Sequence, residues 1–370
     1  MKKSAIILTS FLVSLVLIGA SCVSFSSKNS TAGPAGMFVS VDKGNSWQQI
    51  STLLTEKGLA SIADVSVYRL VVDPQDPQGL YLATREHGLF YSYDGGKSWQ
   101  RPTGVLSTGF VYDIAVHPRD KCTIYATNGH QVFKSDDCNR NWMEIYRESR
   151  ANIFISSLAF NNFPPYQIYL TQTNGDLFQS FDGGISWSVL KRFNMRLVEI
   201  ASSPLQNKLI YVISRENGLY RSEDGGNSWL SLEASLKQYP GALEYRRYLL
   251  SANLPDDFIW VSKYGILVSH DKGDSWEPLN LLTPPGSVNI YGLAINQQNT
   301  NEIYYTATID NRSTFYRSID GGENWITKKM PSGQIPNVVW VHPQNTNLIY
   351  LGFNNLNNSQ KKSSTSIFGI

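Results

Sequence analysis

Ser222-Glu223-Asp224-Gly225-Gly226-Asn227-Ser228-Trp229 decides how this chain reads. Relatives of the octet run from Ser40 to Trp47, Ser92 to Trp99, Ser135 to Trp142, Ser180 to Trp187, Ser269 to Trp276 and Ser318 to Trp325. All seven read Ser-x-Asp-x-x-x-x-Trp, and Asp42, Asp94, Asp137, Asp182, Asp224, Asp271 and Asp320 follow one another at 52, 43, 45, 42, 47 and 49 residues. A period of that size marks a repeat architecture. The residues before each octet alternate, as in Gly218-Leu219-Tyr220-Arg221-Ser222, and an apolar residue follows the Trp, so the octet turns one strand into the next. Its Asp can accept hydrogen bonds from nearby backbone N–H groups and close a turn too long for a two-residue hairpin. Its Gly allows positive φ, and Asn139, in its place in one copy, tolerates the same geometry. Seven of the nine Trp, namely Trp47, Trp99, Trp142, Trp187, Trp229, Trp276 and Trp325, occupy one repeat position and read as packing residues. On that reading, Trp229→Ala is expected to lower stability by roughly 3–5 kcal/mol.

Between octets the pattern repeats. A first strand leads into a turn, as in Tyr68-Arg69-Leu70-Val71-Val72-Asp73-Pro74 and Tyr112-Asp113-Ile114-Ala115-Val116-His117-Pro118. A second strand carries Tyr81, Tyr125, Tyr169, Tyr211, Tyr304 or Tyr350, with Trp260 in the odd repeat. Four antiparallel strands at this period make a propeller blade. The chain starts on a third strand, Met37-Phe38-Val39-Ser40, and its last repeat stops after two, so the ends are expected to complete one blade and remove the free sheet edges. The fold class is therefore all-β, a seven-bladed β-propeller of four-stranded blades. Leu232 to Leu243 can hold one short helical turn.

The octet is similar to the Asp-box, or BNR repeat, of sialidases, sortilin-type receptors, xyloglucan hydrolases and the photosystem II assembly factor family. The resemblance covers the whole chain after the leader. It implies a hairpin on the outer or lower side of a β-propeller, away from the ligand face, and no particular chemistry.

Charge and leader bound the rest. Lys and Arg number 32 against 30 Asp and Glu, a balance that is neutral once Lys2 and Lys3 are set aside. No basic excess attracts nucleic acid. Lys2 and Lys3 precede an apolar run from Ala5 to Ala20, which reads as a secretory signal. Leu17-Ile18-Gly19-Ala20-Ser21-Cys22 resembles a bacterial lipobox, with Cys22 as the lipidated residue, although Gly19 stands where Leu is usual. Plain cleavage and an uncleaved anchor are the alternatives. The expected organisation is a signal peptide at 1–21, a Ser-rich tether at 22–35, the propeller at 36–353 and a polar tail at 354–370. Ile367-Phe368-Gly369-Ile370 reads as a rival third strand or as nothing. The expected location is the cell membrane or outer membrane, periplasmic or extracellular. Cys122 and Cys138 are the Cys beyond the leader; an exported chain meets oxidising conditions, so they read as a disulfide or as two thiols.

Boxes and Pro-containing turns fall on one face. The opposite face carries Arg85, Glu86, His87, Arg147, Arg150, Arg192, Arg196, Arg215, Glu216, Tyr264, Asp310 and Arg312. The mouth of the channel is expected at the starts of the first strands: Tyr68, Arg69, Tyr112, Asp113, Ser156, Glu199, Tyr248 and Tyr291, with Arg247 beside them. Arg69 and Asp113 also read as a salt bridge between blades. Arg offers planar charge-assisted bonds to carboxylates, and aromatic rings suit sugars or peptide side chains. No metal or cofactor motif is present: His117 and His342 repeat a turn position, and no His-x-x-x-His, Cys-x-x-Cys or phosphate loop occurs. The resulting expectation is an exported, lipid-anchored binding or assembly module for a protein segment or glycan in the cell envelope, with Arg69 and Arg247 engaging the partner. The alternative is a divergent glycoside hydrolase of sialidase type, which needs three converging Arg and a Tyr–Glu pair in the channel mouth.

Overall fold

The computed structural model describes residues 32–355. Cys22, the leader, most of the tether and the segment Ile367 to Ile370 lie outside these residues. Seven sheets form the expected β-propeller. Blade 1 comprises Val67–Val72, Leu80–Thr84 and Leu89–Ser92, with Gln100 bonded to Tyr91 at 2.8 and 3.0 Å along its outer edge. Blades 2 to 6 each have four strands, and their inner strands are Asp113–His117, Ile155–Phe160, Leu197–Ser202, Tyr245–Leu250 and Asn289–Ile295. Blade 7 joins the two ends of the chain. Its strands Ile335–Val341 and Ile349–Asn354 are completed by Gly36–Ser40 and Gln48–Gln49. Gly36 stands opposite Phe353 and Ser40 opposite Ile349. The ring is further tied by Lys43, whose ammonium lies 2.9 Å from the buried Glu302 of blade 6. Between blades 7 and 1 an extra hairpin, Thr52–Thr55 with Gly58–Ser61, takes the place of a plain loop. Glu233–Leu236 forms the one short α-helix among the described residues.

The box explains its own sequence. In blade 4 the Ser222 hydroxyl donates to Asp224 Oδ1 at 2.8 Å and accepts the Gly226 N–H at 2.8 Å. Asp224 then accepts the Ser228 N–H at 2.9 Å and its hydroxyl at 2.6 Å. Hydrogen bonds of the same kind, from the Ser46 side chain and backbone first, hold the Asp42 carboxyl down at about 2. In blade 2, Asn139 takes the Gly position at φ 68° and Asn141 replaces Ser as the side-chain donor to Asp137, at 2.6 Å. Cys138 in that turn is joined to Cys122 by a disulfide, their Cα atoms 4.0 Å apart.

Two expectations change. Box Trp residues are not equally buried: Trp99 is fully buried, with its indole N–H on Ile50 O at 2.9 Å, whereas Trp229 is half-buried and bonds back to Gly226 O at 2.9 Å. The second-strand register also corrects the odd repeat. The residue paired with the box Ser is Ile210 in blade 4 and Phe258 in blade 5, so the counterpart of Tyr211 is Ile259. Trp260, one residue on, faces the other way and donates to Ala242 O at 2.7 Å, packed with the core shared by blades 4 and 5.

These differences predict unequal mutants. Trp99→Ala should lower stability by roughly 3–5 kcal/mol, and Trp229→Ala by clearly less. Chemical denaturation of the two variants checks this; equal losses would mean that burial of the box Trp does not set its contribution.

Candidate functional site: the mouth of the central channel

The inner strands share a local irregularity where they enter at the mouth. Register shifts fall between Val67 and Arg69, Ile155 and Ser157, Leu197 and Glu199, Tyr245 and Arg247, Ile290 and Gly292, and Pro336 and Val338. A bulge of this kind breaks strict alternation and re-aims a side chain. Arg69, Ser157, Glu199 and Arg247 each follow such a bulge, and with Asp113 they bond to one another or to neighbouring blades.

Arg69 is the hub. Its Nη1 lies 3.0 Å from Asp113 Oδ1 in blade 2, and its Nη2 pairs with Glu199 in blade 4. Asp113 Oδ2 accepts the Ser157 hydroxyl at 2.7 Å and the Leu158 N–H at 2.9 Å, both in blade 3. Glu199 accepts the Tyr245 hydroxyl of blade 5. Arg247 donates to Tyr291 O of blade 6 at 2.8 Å and to Asn337 O of blade 7 at 2.5 Å, and Asn337 Nδ2 returns to Tyr68 O of blade 1 at 2.8 Å. Every blade is thereby tied to the axis. Burial pushes the Asp113 carboxyl up, against the pull of Arg69, and it pushes the Arg247 guanidinium down. Burial also raises the phenols of Tyr245 and Tyr248 far above the usual range.

Several residues expected to face a ligand are thus spent on the protein. Arg69 satisfies both Asp113 and Glu199, and Arg247 is used by backbone carbonyls, whereas Tyr291 is engaged through its main-chain carbonyl alone. Tyr248 stacks on Phe258 at 5.7 Å, and Tyr264 meets Tyr239 edge-on at 5.2 Å. The Arg215 carbonyl accepts the Tyr245 N–H at 3.4 Å. Around the rim, Arg150 and Arg192 lie against Asp176, at 4.0 and 3.3 Å, and Arg147 pairs with Glu144.

A second group lies on the mouth face, with Tyr68, Phe110 and Phe154 half-buried and Tyr112 buried between them. Tyr68 meets Phe110 edge-on at 4.9 Å, Phe110 stacks on Tyr112 at 4.0 Å, and Tyr112 stacks on Phe154 at 5.9 Å. His130 lies against Phe154 at 4.7 Å. The exposed Arg85 sits over Tyr68 and Phe110, at 5.0 and 5.3 Å. In blade 4 the position just before the inner strand, held by Phe154 in blade 3, is the exposed Arg196. Burial raises the Tyr112 phenol, and both Arg85 and Arg196 lie close enough to oppose that rise. Phe110 and Phe154 are the residues the sequence reading missed; each stands two positions ahead of a named mouth residue, Tyr112 and Ser156. Of the sialidase geometry, the Tyr–Glu pair is present as Tyr245 and Glu199, and among the described residues the guanidinium groups that meet it are Arg69 and Arg247, both engaged by protein acceptors.

The repeat, the boxes and the ring define a class, and this chain is a seven-bladed β-propeller of the Asp-box type. Its residues 35–174 match the Sortilin-Vps10 family (Sortilin, neurotensin receptor 3). It is 30% identical over 70 residues to vacuolar protein sorting/targeting protein 10 of Zygosaccharomyces rouxii, which covers 19% of this chain and 4% of that protein. To the xyloglucanase of Hypocrea jecorina it is 23% identical over 132 residues, 35% of this chain and 16% of that one. The chain thus spans a small part of the length of both curated relatives. Among solved structures, the GH74 enzyme of Niastella koreensis superposes with a TM-score of 0.61 at 15% identity, over 86% of this chain and 53% of that one. YCF48 from Cyanidioschyzon merolae gives 0.58 at 12% identity, over 78% and 96%. YCF48 bound to D1 peptide gives 0.57 at 15% identity, over 79% and 93%. At these identities the likeness is one of fold.

The axial network makes a prediction about Arg69, whose side chain is 23% exposed. Arg69→Ala leaves Asp113 buried without its cation and Glu199 with Arg247 alone nearby, and should lower stability by roughly 3–5 kcal/mol. Adding Asp113→Asn and Glu199→Gln should recover part of that loss. A denaturation midpoint unmoved by Arg69→Ala would show that the guanidinium is free for a ligand after all.

Proposed function

We propose that this propeller is a binding module whose mouth face, over blades 1 to 4, takes an acidic protein segment. The observation that carries this is the continuous aromatic row from Tyr68 through Phe110 and Tyr112 to Phe154, with the exposed cations Arg85 and Arg196 near it. Stacked rings give a chain of apolar contacts, and guanidinium groups give bidentate bonds to carboxylates. Loops on a rigid scaffold are where such recognition resides. The similar fold of YCF48, solved bound to D1 peptide, supports a protein segment as the partner. The GH74 likeness makes a glycan the other outcome of the test.

The experiment is capture of envelope proteins by the full chain, followed by binding of peptides from whatever is captured. Arg85→Ala with Arg196→Ala should weaken capture at least tenfold with the melting temperature nearly unchanged, since both side chains are exposed. Capture that is unaffected by these changes, or competed by oligosaccharide in place of peptide, overturns the reading.

Export and lipid anchoring at Cys22 belong to the same proposal. They rest on the basic and apolar leader and on the lipobox-like Leu17 to Cys22. Two or more acyl chains hold a protein firmly to a bilayer where one binds marginally. Cys22→Ala should therefore leave the precursor unprocessed and without acyl chains, read as a retained leader by mass and as loss of labelling by fatty acid. Soluble recovery of the unaltered chain, with an N-terminus other than Cys22, would leave ordinary secretion.

A further inference from the structure

Six of the seven second strands place a Tyr at one repeat position, and each ring packs into the core between its own blade and the next. These are Tyr81, Tyr125, Tyr169, Tyr211, Tyr304 and Tyr350, all almost fully buried. Three of the phenols reach across to the fourth residue of the next blade's box. Tyr125 donates to Gly183 O at 2.9 Å, Tyr211 to Lys272 O at 3.3 Å and Tyr350 to Gly95 O at 3.1 Å. Blade 5 breaks the series with Ile259, which packs between blades 5 and 6. The fourth residue of the blade 6 box is Gly321.

At that place the structure has a cleft of about 480 Å³, lined among others by Ile259, Val268, Leu279, Leu293, Ile303 and Gly321. Both ends of the missing contact, the residue that replaces the Tyr and the box glycine its phenol would reach, are therefore walls of one cavity. The cleft lies on the box side, opposite the mouth, and is independent of the site proposed there. It is larger than one phenol ring requires, and amide side chains of Asn253, Gln297 and Asn301 also line it.

We propose that this cleft is a binding site for a tyrosyl side chain presented by a partner polypeptide. The ring takes the space that an internal Tyr fills in the other six interfaces, and its hydroxyl donates to Gly321 O. The amide side chains bond the adjoining peptide groups. The interface of blades 3 and 4, which keeps its Tyr169, has a smaller cleft of about 290 Å³ at the same two positions, so Ile259 enlarges the space where Tyr would occupy it, and unfilled apolar space lowers stability. Natural proteins keep such a deficit where a site needs it.

The test uses the full chain and N-acetyl-tyrosine amide as probe, with binding read by ligand-observed NMR and by the rise in melting temperature. Saturable binding is expected, about tenfold tighter than that of N-acetyl-phenylalanine amide, the difference a single neutral hydrogen bond makes. Ile259→Tyr should raise the melting temperature of the free protein and abolish probe binding. Leu279→Trp, which closes the cleft from its other wall, should abolish binding as well and keeps the test open if Ile259→Tyr folds poorly. No saturable binding to the native chain, equal affinity for the two probes, or binding that survives both substitutions overturns the proposal. Binding of p-cresol without binding of the amide probe overturns the assignment to a polypeptide.

Discussion

A four-stranded sheet that is apolar on both faces can be buried only between two others like it, and everything else in this molecule follows from that constraint. Stacked blades fan about an axis, so the stack ends only by closing on itself. The chain achieves this with Gly36–Ser40 inserted beside Ile349–Asn354. Closure makes the two ends of the sequence one structural unit, and the Lys43–Glu302 contact reinforces it from the neighbouring blade. The boxes serve the same end. Each is a turn whose Ser and Asp bonds are made internally, and in three blades the Tyr of the preceding blade adds a bond to its fourth residue.

Closure also crowds the inner strands at the axis, where bulges aim charged side chains inward. A charge in that position needs a partner or it is costly. Arg69 meets this by pairing with Asp113 in the next blade and Glu199 three blades on, across the channel. The consequence for recognition is geometric. With its centre occupied by Arg69, Glu199, Tyr245 and Arg247, the mouth offers a surface rather than a tunnel, and a ligand there lies over the row of rings that begins at Tyr68.

The fold was legible in the sequence because one octet recurs seven times and because the part-repeats at the two ends are complementary. The site was legible in type and not in detail. Tyr68, Arg85, Tyr112 and Arg196 were found because they stand in loops or at strand starts where the repeat places the ligand face. Phe110 and Phe154 join them through loop conformations that no periodicity encodes. The pairing of Arg69 with Asp113 could be read from adjacent repeats, but its second bond, to Glu199, depends on the curvature of the whole ring. The exchange of Ile259 for Trp260 has a simpler origin. Strand side chains alternate with period two, so an aromatic residue displaced by one position lies on the opposite face of its sheet.

A repeat protein carries its own controls, and departures from the repeat can be sorted by whether the surroundings adapt. Asn139 replaces a box glycine, adopts φ 68° and donates its amide to the Tyr93 hydroxyl at 2.6 Å. Its amide nitrogen is taken up by the neighbouring blade, while its Oδ1 is buried without a partner among the described residues. Trp260 is likewise accommodated, its indole N–H taken up by Ala242 O. Ile259 is different. Its neighbours have not moved in to replace the ring that six other blades supply, and a cleft of about 480 Å³ lies against it. Protein interiors are close-packed, and a drift that merely lost a Tyr would be expected to relax toward that density. A Tyr at this position does not by itself close the interface, since a cleft of about 290 Å³ lies against Tyr169 and Gly225 between blades 3 and 4; what sets blade 5 apart is the larger space and the loss of the ring that occupies the position in the six other blades.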